Sequence, residues 1–135
     1  MSEAVQPDEV DPEVLELAGR VFDAARAGDA ASLAGFVDAG VPADLCNEKG
    51  DTLVMLAAYH GHADAVRALL ERGADANRGN DRGQTPLAGA VFKGEASVID
   101  ALLDGGADPH AGRPSAADTA QMFGRTALVE RFGPR

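Results

Sequence analysis

The sequence predicts an all-α fold in which short helix-turn-helix units stack into a solenoid, and three observations carry that prediction. Glycines recur at one period: Gly28, Gly61 and Gly94 are spaced by 33 residues, as are Gly40, Gly73 and Gly106, and so are Gly50 and Gly83. The text between them repeats as well. Gly50-Asp51-Thr52-Leu53-Val54 answers Gly83-Gln84-Thr85-Pro86-Leu87, Ala68-Leu69-Leu70 answers Ala101-Leu102-Leu103, and Gly73-Ala74-Asp75 answers Gly106-Ala107-Asp108. Self-similarity at a fixed period of this size is the signature of a repeat architecture. The third observation is composition: 45% of residues are hydrophobic, yet 27 residues are alanine, aromatics make up 4% and tryptophan is absent. A core of such side chains needs thin elements in close approach, which stacked helices supply better than a sandwich does.

The elements follow in order. Residues 1–12 read as an acidic, flexible N-terminus, because the first sixteen residues hold Glu3, Asp8, Glu9, Asp11, Glu13 and Glu16 and no Lys or Arg. From residue 13 to 133 the chain reads as a single domain, of a length that buries about two-thirds of its unfolded surface without metal or disulfide. Each unit within it is two short helices and a loop. Thr85-Pro86 supplies a cap and a proline at the first helical position, Thr52 does the same without the proline, and the glycines stop each helix. Ala65, Val66, Leu69 and Leu70 form one apolar stripe on a second helix, and Val98, Ile99, Leu102 and Leu103 repeat it. Helices of about ten residues are marginal alone, so each stripe has to be covered by the neighbouring unit.

At these residues the chain resembles the ankyrin repeat family, whose signature runs from G-x-T-P-L-H-x-A-A through to L-L-x-x-G-A-D-x-N. Residues 50–77 and 83–108 resemble two full repeats, 13–44 a degenerate first repeat lacking the Thr-Pro start, and the end of the chain a cap. There Ser115-Ala116-Ala117-Asp118-Thr119-Ala120 is similar to the Thr-Pro-Leu segment, with Gly124 and a short helix Thr126–Phe132 after it. The spacing from Gly106 to Ser115 is 9 residues against 12 from Gly73 to Thr85, so the last loop is three residues shorter. The resemblance implies repeats over 13–46, 47–79, 80–112 and 113–133. The family's histidine after Thr-Pro-Leu is replaced by Met55 and Ala88, so Thr52 and Thr85 are expected to cap through their own backbone neighbours.

Charge and cysteine usage narrow the partners. The formal charge of -10 comes from 22 acidic and 12 basic side chains, and without the six acids of the N-terminus the body holds 16 acids against 12 bases. A pI near 4.5 disfavours nucleic acid and anionic membrane, which are held by clustered Lys and Arg. One cysteine, Cys46, makes no internal disulfide and suits a reducing compartment. The N-terminal residues lack the basic flank and apolar stretch of a signal peptide, and the longest apolar run, Leu53–Tyr59, is too short to cross a bilayer. The expectation is a cytoplasmic protein, monomeric on its own. The preference for Arg over Lys and the abundance of Ala and Gly point to a GC-rich, bacterial source.

Candidate chemistry is sparse, and no catalytic, cofactor or metal residue is assigned. Ser32, Ser97 and Ser115 each occupy a position that the repeat explains as surface or cap, and no nucleophile elbow or phosphate loop accompanies His60, His62 or His110. His60, His62 and Asp64 form H-G-H-A-D, the one constellation on which a small metal-binding or hydrolytic protein would rest. The resemblance instead places Gly61-His62 in the interhelical turn, with Asp64 in the favourable first turn of the next helix. Cys46 has no resolving partner, and Asp44 and Glu48 nearby oppose a thiolate. Asn77 resembles the asparagine hydroxylated in some ankyrin repeats of animal proteins, and its ordinary role in the family is to satisfy backbone groups of the hairpin loop, which Asp44 and His110 imitate in part.

The resemblance implies protein recognition through positions the repeat does not need for its own packing. These are the loop tips Glu48, Lys49 and Asp51 with Asp81, Arg82 and Gln84, and the first-helix residues Tyr59, His60, Phe92 and Lys93. Aligned at 33, Tyr59 pairs with Phe92 and His60 with Lys93. Aromatic rings flanked by charges are the composition of an interface hot spot. Met122 and Phe123 hold the matching place in the last unit. The competing assignment makes Tyr59 and Phe92 covers for the groove between neighbouring repeats. The implied partner is another protein, engaged by an adaptor or regulator; the alternative is a constitutive structural subunit of an assembly.

Overall fold

The computed structural model describes residues 11–134. They form eight helices: α1 (Pro12–Ala27), α2 (Ala30–Asp38), α3 (Leu53–Tyr59), α4 (Ala63–Glu71), α5 (Pro86–Lys93), α6 (Ala96–Asp104), α7 (Ala116–Met122) and α8 (Thr126–Phe132). The first helices α1, α3, α5 and α7 pack side by side in one layer, and α2, α4 and α6 in a second. Each second helix folds back on its own first helix. No strand runs between the units among the described residues, only isolated bridges pairing Cys46 with Thr52 and Gly112 with Ser115. The all-α solenoid read from the sequence is the observed fold.

Caps set where the helices start. The Thr52 hydroxyl oxygen accepts from the Met55 N–H at 3.1 Å and that of Thr85 from the Ala88 N–H at 3.2 Å, the local capping expected where the family's histidine is missing. Ser115 makes a reciprocal cap with Asp118: its hydroxyl accepts from the Asp118 N–H at 3.0 Å, and the Asp118 carboxylate accepts from the Ser115 N–H at 3.3 Å. These cap hydroxyls are buried, which makes an orphaned N–H there costly.

The N-terminus departs from expectation. Of the acidic segment 1–12, residues 1–10 lie outside the described residues, while Asp11 and Pro12 begin α1. The Asp11 carboxylate accepts from the Glu13 N–H at 2.8 Å and Pro12 takes the first helical position, so this pair replaces the missing Thr-Pro start. Shifted by 33, Pro86 of α5 and Leu53 of α3 align with Arg20, so α1 carries eight extra N-terminal residues, an extension of about 12 Å.

The core runs between the layers. All six residues from Leu53 to Ala58 are buried, because α3 is covered by α1, α5 and α4 at once. Ala57, Ala65 and Ala90 are fully buried and keep the helices close, as the alanine-rich composition requires. On the second helices Ala65, Val66 and Leu69, then Val98, Ile99 and Leu102, are buried, while Leu70 and Leu103 lie half-buried against the core. Each fully buried Leu or Val contributes roughly 1.5–3 kcal/mol of transfer free energy.

Candidate functional site

The hairpin tips are built by two asparagines. The Asn47 side-chain oxygen accepts from the N–H groups of Lys49 and Asp51 at 2.9 and 3.0 Å, and that of Asn80 from Arg82 and Gln84 at 3.0 and 3.1 Å. These are Asx turns, closed when the Gly50 and Gly83 N–H groups donate to the Asn47 and Asn80 carbonyls. Both glycines sit at left-handed φ, 79° and 76°, which a Cβ disfavours. Successive tips are joined by the Asp81 N–H donating to the Lys49 carbonyl and the Arg113 N–H to that of Gly83, each at 3.1 Å.

One site residue pair has a structural duty that the sequence did not reveal. The Asn80 amide donates to the Asp51 carboxylate at 2.9 Å and to the Gln84 side-chain oxygen at 2.8 Å, so Asp51 ties neighbouring tips together, Gln84 braces its own tip, and neither is spare surface. Glu48, Lys49, Asp81 and Arg82 remain exposed.

Below the tips, a groove of about 590 Å³ opens between the hairpins and the C-terminal ends of the first helices. It is lined by eight of the ten anticipated residues, Glu48, Lys49, Asp51, Tyr59, His60, Asp81, Arg82 and Gln84. Arg26, Asn47, Met55, Leu56 and Asn80 complete it and were missed. The period held the signal for some of these, since Asn47 and Asn80 are 33 residues apart and Arg26 stands 33 before Tyr59.

The aromatic row continues beyond the groove. Tyr59 and Phe92 are 50% and 54% exposed, so neither ring is buried between repeats. The Lys93 ammonium sits over the Tyr59 ring, 4.4 Å from its centroid, and His60 meets the same ring edge-on at 5.5 Å. Phe92 packs edge-on against Phe123 at 5.3 Å, leaving Met122, the residue in register with Phe92, 64% exposed. Partial burial holds the His60 imidazole below its usual pKa, with His62, Lys93 and Arg26 adding repulsion of the protonated form.

The His60/His62/Asp64 constellation does not converge. The His62 Nε2–H donates to the Arg26 carbonyl at 2.8 Å, which spends that nitrogen on the C-terminal end of α1. Asp64 points outward from the first turn of α4. Among the described residues no group of three or more His, Cys, Asp or Glu is placed to hold a metal ion. Cys46 is half-buried with the Arg78 guanidinium 3.9 Å from its sulfur, a cation from the next repeat that its acidic sequence neighbours concealed. Asn77 braces the following hairpin: its side-chain oxygen accepts from the Asp108 N–H at 2.6 Å and its amide donates to the Gly106 carbonyl at 3.2 Å. Asp44 does half of this, accepting from the Asp75 N–H at 2.9 Å.

Stacked helix pairs with projecting, Asx-turned hairpins and a groove beneath them define a helical repeat protein. Residues 21–113 match the family model for ankyrin repeats in three copies, and the chain belongs to the ankyrin repeat family. It is similar to an ankyrin repeat protein of Pseudomonas aeruginosa, 45% identical over 60 residues that make up 44% of this chain and 34% of the relative. Its fold is similar to the crystal structure of the human ASB11 ankyrin repeat domain, with a TM-score of 0.65 and 30% identity over 74% of this chain and 46% of that one. The matched region thus spans about a third of the bacterial relative and under half of the human domain. Ankyrin repeats are protein–protein interaction modules, a non-enzymatic fold, and no described helix is long and apolar enough to cross a membrane.

Proposed function

We propose that the chain is a cytoplasmic adaptor or regulator that binds one partner protein across the groove and the aromatic row. The observation that supports this best is that half-exposed rings stand at equivalent helix ends, Tyr59 in a groove lined by exposed charges and Phe92 just beyond it. Rings held at half exposure by cation–π and edge-on contacts lose little further freedom on binding, so a preformed surface of this kind recognises at small ordering cost. Glu48, Lys49, Asp81 and Arg82 supply the rim that sets orientation, while Asp51 and Gln84 keep the tips rigid. A monomer suffices for this arrangement. Constitutive assembly into a larger structure would use the same surface with slower exchange.

The test is capture from an extract of the source organism with the wild-type chain and the Tyr59→Ala/Phe92→Ala variant side by side. One protein recovered by the wild type alone is the expected result. Equal recovery in both lanes removes the row from the interface.

A further inference from the structure

The overhang of α1 carries apolar side chains that the stack does not use. Residues 12–19 lie ahead of the repeat register, and Val14 and Leu17 continue the stripe on which α1 buries Val21, Ala24 and Ala25. Val14 and its neighbour Leu15 are each 56% exposed, and Leu17 is half-buried against the core. A cavity of about 510 Å³ is lined there by Asp11, Glu13, Val14, Glu16, Leu17 and Arg20, all from α1 and its cap, so no other described element closes over it. The opposite end of the stack is finished differently. With the last loop three residues shorter, the buried Ala88 and Val91 of α5 correspond to the exposed Asp118 and Gln121 of α7, so that end turns polar where no further helix packs.

Acids surround the apolar pair. Asp11, Glu13 and Glu16 rim the cavity against one base, Arg20 at its foot, and none of the four joins an ion pair among the described residues. Arg20 is also the first Lys or Arg of the chain, after six acids.

We infer that the overhang is a docking surface, separate from the groove, for a basic amphipathic helix of a partner protein. Leu- or Ile-type side chains of that helix cover Val14 and Leu17, and its Lys and Arg meet Glu13 and Glu16. Charge complementarity chooses the occupant over the alternatives on this chain. A second copy would bring the same acidic excess, and residues 1–10 would add Glu3, Asp8 and Glu9 to acids already there. A helix also fits better than an extended segment, because its backbone groups are already satisfied when it lies on an apolar stripe. An overhang of about 12 Å offers two turns, which match side chains three and four residues apart on the partner helix. So short a contact makes the complex transient.

The experiment is selection from a display library of helix-forming peptides about 16 residues long on the full chain, followed by affinity measurements on Val14→Gln and on Glu13→Gln/Glu16→Gln. All three positions are exposed, and circular dichroism checks that each variant keeps its helices. The expected result is a set of peptides rich in Lys and Arg, with Leu or Ile at spacings of three and four. These bind Val14→Gln about tenfold more weakly and Glu13→Gln/Glu16→Gln about fivefold more weakly. The inference is overturned when no recovered peptide is weakened by Val14→Gln, or when those that are weakened carry no basic excess or bind the double variant as well as the wild type. That outcome leaves recognition through the groove to its own capture experiment.

Discussion

At the scale of single residues, fold and site draw on different kinds of side chain. Thr52, Thr85 and Ser115 are buried caps, and Thr85→Ala leaves the Ala88 N–H unpaired inside the protein. We predict a loss of about 1 kcal/mol in urea unfolding for that change. His60 contributes in the opposite sense on the acid side. Because the folded protein holds its pKa below the unfolded value, the unfolded state takes up its proton first, and stability falls as pH drops from about 6.5 through the lower folded value. The ring is exposed, so the effect is small; His60→Gln is expected to flatten that part of the pH profile, and a proton titration of the ring in Lys93→Ala should show its midpoint moving up. The Thr caps were legible because Thr-Pro before an apolar run has one common meaning. The double duty of Asn80 was not, since its contact with Asp51 joins residues 29 apart that only stacking brings together, while Gln84 lies in its own turn.

At the scale of elements, the period fixed most helix positions, and what escaped it was whatever the repeat does not dictate. The last helix falls at Thr126–Phe132 as the sequence implied, because Gly124 and the shortened loop leave it no other place. The start of α1 was hidden by its surroundings: Asp11-Pro12 is a cap and a first-position proline, but it lies outside the 33-residue register and inside an acidic stretch. Turn geometry gives a sharp prediction at Gly28. Its φ of 76° is left-handed, and an added Cβ would strike the His62 ring that donates to the Arg26 carbonyl. Gly28→Ala should therefore destabilise by more than about 1 kcal/mol, read as a lower denaturation midpoint with loosened α1–α3 contacts. By contrast the exposed pairs Arg67–Asp104 at 3.1 Å and Arg131–Asp100 at 2.7 Å link successive second helices on the solvent side. Arg67→Ala is expected to cost no more than about 1 kcal/mol in the same assay.

At the scale of the whole molecule, the buried core and the proposed recognition surface occupy different parts of one stack. Buried Leu53, Leu69, Leu87 and Leu102 lie between the layers, and Leu69→Ala is expected to cost about 2–5 kcal/mol because α2 and α6 close on it from both sides. The rings at the helix ends carry no such duty. Their partition was only half legible: the alignment of Tyr59 with Phe92 was visible at period 33, but whether rings at that place face solvent depends on how closely neighbouring first helices approach. The structure leaves both rings half-exposed at the ends of their helices. The central claim is that the stack is complete without the aromatic row, which leaves the row for a partner. The direct measurement is equilibrium unfolding of Tyr59→Ala/Phe92→Ala against wild type. Loss of one cation–π and two edge-on ring contacts, all at half-exposed rings, predicts a decrease of about 1–2 kcal/mol with an unchanged cooperative transition; a loss near the 3–5 kcal/mol typical of a single buried ring, or a broadened transition, would show that the rings belong to the core and contradict the account.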